Sequence, residues 1–295
     1  MPSLATSPLT TVAALHAADT MLGKDRRWLH TNDTQRGWLE RTYRPGVPDL
    51  ARVPEIISHA TGSISNHIEF LRKHGWQAQL TDPLTDGAIA TAAVLDVLVE
   101  WLAEGQDSDI RIPGGEHFSG FELKHEPHVN PIVINQHLQM VGHHIMLGTK
   151  SGDIVHIMET ERPPVSVLDL LELVDTMING KQRAARSCTV VIPKVDLASK
   201  QSLDWLPGLH TTDERDLYYV IAQAVQQATL KMNETGARAR AADEMRVTRG
   251  MTPREDKLII DKPFLFAITR RNVQLPIIAA YVDYESWKDP GSLER

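Results

Sequence analysis

The sequence predicts a mixed α+β protein, and three stretches carry that expectation. Residues 118–158 are short segments rich in Val, Ile, Thr and His, broken by Gly142, Gly148 and Gly152, which suits antiparallel strands joined by turns. Residues 165–178 place Leu168, Leu171, Val174 and Ile178 on one side of an amphipathic helix. Residues 258–268 and 275–284 are strongly strand-like.

The other elements follow in chain order. Residues 1–11, with Pro2, Pro8, Ser3 and Ser7, are expected to form a flexible arm, followed by a short helix over 12–22. Residues 26–32 are expected as a short strand, and Arg44-Pro45-Gly46-Val47-Pro48 as a break in regular structure. After Pro54 a helix is expected over 55–59, continuing past Thr61-Gly62 through Ile64, Ile68 and Leu71. Residues 88–103 are nearly all apolar, and periodicity leaves a buried helix and a central strand both open. Residues 188–197 predict a strand with Pro193 at an edge or bulge. Residues 233–257 have no apolar periodicity and are expected as a long exposed loop, the kind that carries function.

Composition narrows the function classes. The 295 residues carry 31 Lys+Arg against 38 Asp+Glu, a net charge of −7 that argues against a nucleic-acid partner. Hydrophobic residues make up 42% of the chain, enough for a sizeable core. The lone Cys188 excludes an intrachain disulfide and a Cys-based zinc site. No secretory start and no apolar run of about 18 residues is present, so a soluble cytoplasmic protein with no membrane partner is expected.

The final eighty residues resemble the C-terminal part of the serpins. Asn233-Glu234-Thr235-Gly236, an alanine-rich stretch, a polar loop, Asp261-Lys262-Pro263-Phe264-Leu265-Phe266 and a last hairpin follow in the family's order. Val190-Val191-Ile192-Pro193-Lys194 is similar to the family's leucine-proline-lysine-phenylalanine strand. Residues 152–157 resemble a segment of short bacterial serpins, and residues 60–64 the helix lying across the main sheet. The resemblance implies an α+β serpin-like domain over 1–295, with residues 90–101 in its main sheet and 236–257 as the reactive-centre-like loop. It also implies that the family's N-terminal helices, with the serine-proline motif under that sheet, are missing. The family's strand asparagine falls at Ala93 and its histidine at Gln226.

The resemblance makes Glu234, Gly236, Ala237, Ala239, Ala241 and Ala242 the loop hinge. In an extended strand Ala237, Ala239 and Ala241 share one face, while Arg238, Arg240 and Ala242 share the other. Small residues inward and arginines outward suit a strand that inserts above a core. Arg249 and Gly250 are the scissile candidates, in the sense of a trypsin-like protease.

Seven of the 13 histidines lie between His117 and His156. His125, His128, His143, His144 and His156 are the candidates for acid–base chemistry if the protein is an enzyme. Pro127 lies between His125 and His128, and His143 and His144 point to opposite faces of a strand, so no metal site is expected. Gly-x-Ser-x-Gly, Ser-x-x-Lys and phosphate-binding loops are absent, and no cofactor is expected. Three functions therefore stand: a serpin-like inhibitor acting on a serine protease through its loop, a serpin scaffold repurposed as a biosynthetic enzyme for a small-molecule substrate, and a non-inhibitory homo-oligomeric interaction protein.

Overall fold

The computed structural model describes residues 2–23, 27–77, 89–237 and 257–293. The N-terminus is not a flexible arm: strand β1 (Leu4–Thr6) is buried, and α1 (Pro8–Leu22) starts four residues ahead of the expected helix. Ser7 caps α1 by accepting from Thr10 N, and Pro8 takes the first helical position, where a missing N–H costs nothing. Helix α1 thus opens on a Ser7-Pro8 pair. Of the strand expected at 26–32, only the bridge Leu29–His210 is found among the described residues.

The expected break at 44–48 is helical. Helix α2 (Asp33–Trp38) runs through a π turn (Leu39–Tyr43) into α3 (Arg44–Asp49) and a 3₁₀ turn (Leu50–Arg52). Pro45 falls in the first turn of α3, and the helix ends one residue after Pro48. Residues 55–59, expected to be helical, lie largely in strand β2 (Ile56–Thr61), and α4 (Ile64–Lys73) begins only after the Ser63 cap. Residues 88–103 resolve as strands β3 (Ala90–Leu95) and β4 (Val99–Glu100).

Four expected antiparallel strands follow β5 (Gln106–Arg111): β6 (His117–Leu123), β7 (Ile132–His137), β8 (His143–Gly148) and β9 (Ile154–Glu159). Helix α5 (Val167–Asn179) buries Val167, Leu170, Leu173, Val174 and Met177, rotated by about one position from the expected stripe. Strand β10 (Gln182–Arg186) precedes a division at Lys194. The strand expected over 188–197 is two strands, β11 (Thr189–Pro193) and β12 (Val195–Ser202), in two different sheets. The chain then forms β13 (His210–Thr212), β14 (Tyr218–Val220), β15 (Val225–Asn233) and β16 (Gly236–Ala237). Strands β17 (Lys257–Ile259), β18 (Phe264–Thr269) and β19 (Ile278–Val282) complete the set.

A seven-stranded sheet, β1-β19-β18-β9-β8-β7-β10, lies between two apolar cores. Alternation along β18 supplies both. Phe264, Phe266 and Ile268 face the core that holds Trp101, Phe121 and Leu230, while Leu265 and Ala267 face α1 and α5. Two four-stranded sheets complete the frame, β17-β11-β6-β5 and β12-β15-β16-β4. The second of these, with the β2–β3 pair, positions the candidate site.

Candidate functional site

The site begins where β15 turns at Glu234-Thr235 into β16. Gly236 and Ala237 pair with Asn233 and Met232 on one side and with Glu100 and Val99 on the other. A Cβ added to Gly236 would meet the Val99 carbonyl oxygen at 2.0 Å, so only glycine permits this approach. Ala237 is fully buried, which puts its face inward as the alternation in the hinge requires.

Three contacts lock this corner. Trp101, 1% exposed, donates through Nε1 to the Asn233 carbonyl at 2.9 Å, and its backbone N–H reaches Thr235 O at 3.2 Å. Gly105 N donates to Glu234 O at 2.7 Å. Lys194, at the division between β11 and β12, reaches Glu234 Oε2 at 2.8 Å, Asp107 Oδ1 at 2.8 Å and Asp289 Oδ2 at 2.9 Å. Burial pulls the Lys194 ammonium down, but the bonds to Asp107, Glu234 and Asp289 outweigh it and raise its pKa above the ordinary lysine value.

Below Ala237 the sheet is open. Residues 225–231 of β15 pair only with β12, and β3 pairs only with β2, among the described residues. The two unpaired edges border a cavity of about 760 Å³, which α1 also lines through Thr10, Ala14 and Leu15. Ala92 and Ala93 face it from β3, and Gln226 and Ala228 from β15. Gln226 is 8% exposed and fully engaged. Its Oε1 accepts from Thr6 Oγ1 at 2.5 Å and Ser7 N at 3.3 Å. Its Nε2 donates to Ser7 O at 2.8 Å, Thr10 Oγ1 at 2.9 Å and Thr11 Oγ1 at 3.2 Å. Gln226 therefore ties β15 to the start of α1.

The hinge residues Ala239, Ala241 and Ala242 and the scissile candidates Arg249 and Gly250 lie outside the described residues. The histidine candidates are dispersed. His128 and His143 are exposed, and half-buried His125 accepts from Ile132 N at 3.0 Å. His144 and His156 are buried within the seven-stranded sheet, His144 Nε2 lying 2.9 Å from His156 Nδ1 and His156 Nε2 2.8 Å from Thr269 Oγ1. Burial, and then the neighbouring His144, push His156 down to about 3. None of the five lines the cavity. Among the described residues no three His, Cys, Asp or Glu side chains form a metal-ligating group, and no helix is long and apolar enough to cross a membrane. Cys188 is buried at the start of β11.

Residues 166–283 match the family model for Serpin (serine protease inhibitor). Among solved structures, Serpin48 of the insect Tenebrio molitor superposes with a TM-score of 0.57 at 16% identity, covering 96% of this chain and 92% of that one. Uncleaved ovalbumin gives 0.56 at 12% identity over 95% and 92%, and thyroxine-binding globulin in complex with thyroxine 0.57 at 12% over 95% and 92%. The chain has the serpin fold, and its residues 166–283 match the serpin family. No curated protein sequence matches the chain. The serpin match runs from the cap of α5 to the end of β19, so it encloses Lys194, Gln226 and the turn from Glu234 to Ala237. Trp101 and the floor formed by α1 lie upstream of it.

Sequence reasoning named Glu234, Gly236 and Ala237 but missed Lys194 and Trp101, which hold the turn before β16. Lys194 had a signal, a lone cation between two apolar strands; Trp101 had none beyond its place at the end of an apolar run.

Proposed function

We propose that this protein is an inhibitor of the serpin type, which offers residues 238–256 to a serine protease and takes the cleaved loop into the slot between β15 and β3. The observation that carries this reading is β16. It is already paired on both sides at the head of a slot whose lower edges are unpaired among the described residues. An inserted strand would satisfy the backbone groups of both edges, a gain available only after the loop is cut. Continuing the two registers of β16 would set residue 239 opposite Leu230 and residue 241 opposite Ala228, with their alanines on the inward face.

Incubation with trypsin tests the proposal. An SDS-stable complex should form, and Arg249→Ala should abolish it. Cutting of the loop without any complex would contradict the proposal.

A further inference from the structure

We propose that, in the uncut protein, the slot cavity binds an uncharged amphipathic small molecule, its apolar body between β3, β15 and α1 and its single polar group hydrogen-bonded to His67. The inference concerns the intact chain and stands whether or not the loop inserts.

The cavity, about 760 Å³, lies in the range of small-molecule sites. No Asp, Glu, Lys or Arg is among the described residues that line it, so a charged ligand would leave its ion unpaired. Trp28, Trp76 and Tyr219 contribute aromatic surface.

Its polar groups are mostly committed. The Gln226 amide is saturated by Thr6, Ser7, Thr10 and Thr11. The Thr91 hydroxyl is shared between the carbonyls of Ala14 and His59. Among the described residues, two buried polar atoms on the cavity wall have no hydrogen-bond partner. Trp28 Nε1 lies beside the Asp19 carboxylate. The other belongs to His67. It is the one buried residue of α4, 3% exposed, it lines the cavity, and its Nδ1 has no hydrogen-bond partner. Buried polar atoms are nearly always paired, so an orphan on a cavity wall marks where a ligand's polar group belongs. Burial, and then His59, hold this imidazole below its ordinary pKa and hence neutral, matching the uncharged lining.

The experiment titrates intact protein with N-phenyl-1-naphthylamine, an uncharged fluorophore with one N–H, and in parallel with anionic 1-anilinonaphthalene-8-sulfonate. The neutral dye should bind saturably at one site, and the sulfonate about tenfold more weakly. His67→Phe should weaken the neutral dye about tenfold while the melting temperature stays level or rises, because an unpartnered buried polar atom is removed. Ala93→Trp, which fills the cavity, should abolish binding, and it covers the case in which His67→Phe does not fold. Equal binding of the two dyes, or affinity unchanged in both variants, would overturn the proposal. So would a cavity that takes a synthetic peptide of residues 237–250 but no neutral dye, since the slot would then belong to the chain's own segment.

Discussion

Lys194 Nζ lies 2.8 Å from Glu234 Oε2, tying the division between β11 and β12 to the turn that starts the hinge. Lys194 is 7% exposed along its side chain while Asp107 is 79% and Asp289 48% exposed, so the cation is the shared, desolvated partner. Lys194→Ala should therefore destabilise the protein by about 2–3 kcal/mol, less than a fully buried pair because two of the carboxylates stay solvated. Glu234→Ala leaves the cation two partners and should cost about 1 kcal/mol. Urea unfolding of both variants checks the ordering; equal costs would contradict the three-way arrangement.

Gly236→Val places a Cβ where the Val99 carbonyl oxygen lies 2.0 Å away. The strand pairs on both sides of β16 must move apart, at about 1–3 kcal/mol. Hydrogen exchange should show faster exchange at Ala237 and Val99, with β18 and β19 unchanged.

Gln226→Leu removes five hydrogen bonds and takes the acceptor from the Thr6 hydroxyl and Ser7 N, while Ser7 O and the Thr10 hydroxyl keep each other. A loss of about 2–3 kcal/mol is expected from thermal or urea unfolding. A near-neutral result would mean that the Ser7–Thr11 cluster does not hold β15 in place.

Acid should weaken the fold. Unfolded histidine takes a proton near pH 6.5, whereas His156 resists protonation down to about 3, so the unfolded chain binds more protons in between. The stabilisation is complete above pH 6.5 and is lost as pH falls toward 3. His144 and His67 are shifted in the same direction. Removing one such group, as in His156→Gln, should lower the slope of stability against pH between 6 and 4 by about 1.4 kcal/mol per unit. An unchanged slope would contradict the buried neutral pair.

Continuing the β16 registers brings residue 243 opposite Gln226 and Ala93, inside a slot with no charged lining among the described residues. Asp243→Asn should therefore raise the melting temperature of the loop-cleaved form by several degrees and leave that of the intact form unchanged. An equal shift in both forms would argue against insertion in this register.

The strands 117–159 and 257–282 were legible because alternation and glycine breaks coincide there, and both faces of the sheet demand period two. The stretches 1–11 and 55–61 were misread because long-range pairing decides them. Leu4–Thr6 becomes a strand only by lying against Ala279–Tyr281, and Ile56–Thr61 only by lying against Ala90–Leu95. The tight approach at Gly236 was legible as a glycine after a polar turn, whereas the alternating Ala239 and Ala241 lie outside the described residues. His67 was not legible, since a histidine on a short amphipathic helix looks the same in sequence whether it meets solvent or a cavity wall.

The most direct test of strand insertion is the melting temperature before and after a single cut within residues 238–256. Among the described residues, the slot leaves two strand edges unpaired. Filling it should raise the melting temperature of the cleaved protein well above that of the intact one. A cleaved form that melts at or below the temperature of the intact protein would contradict the account.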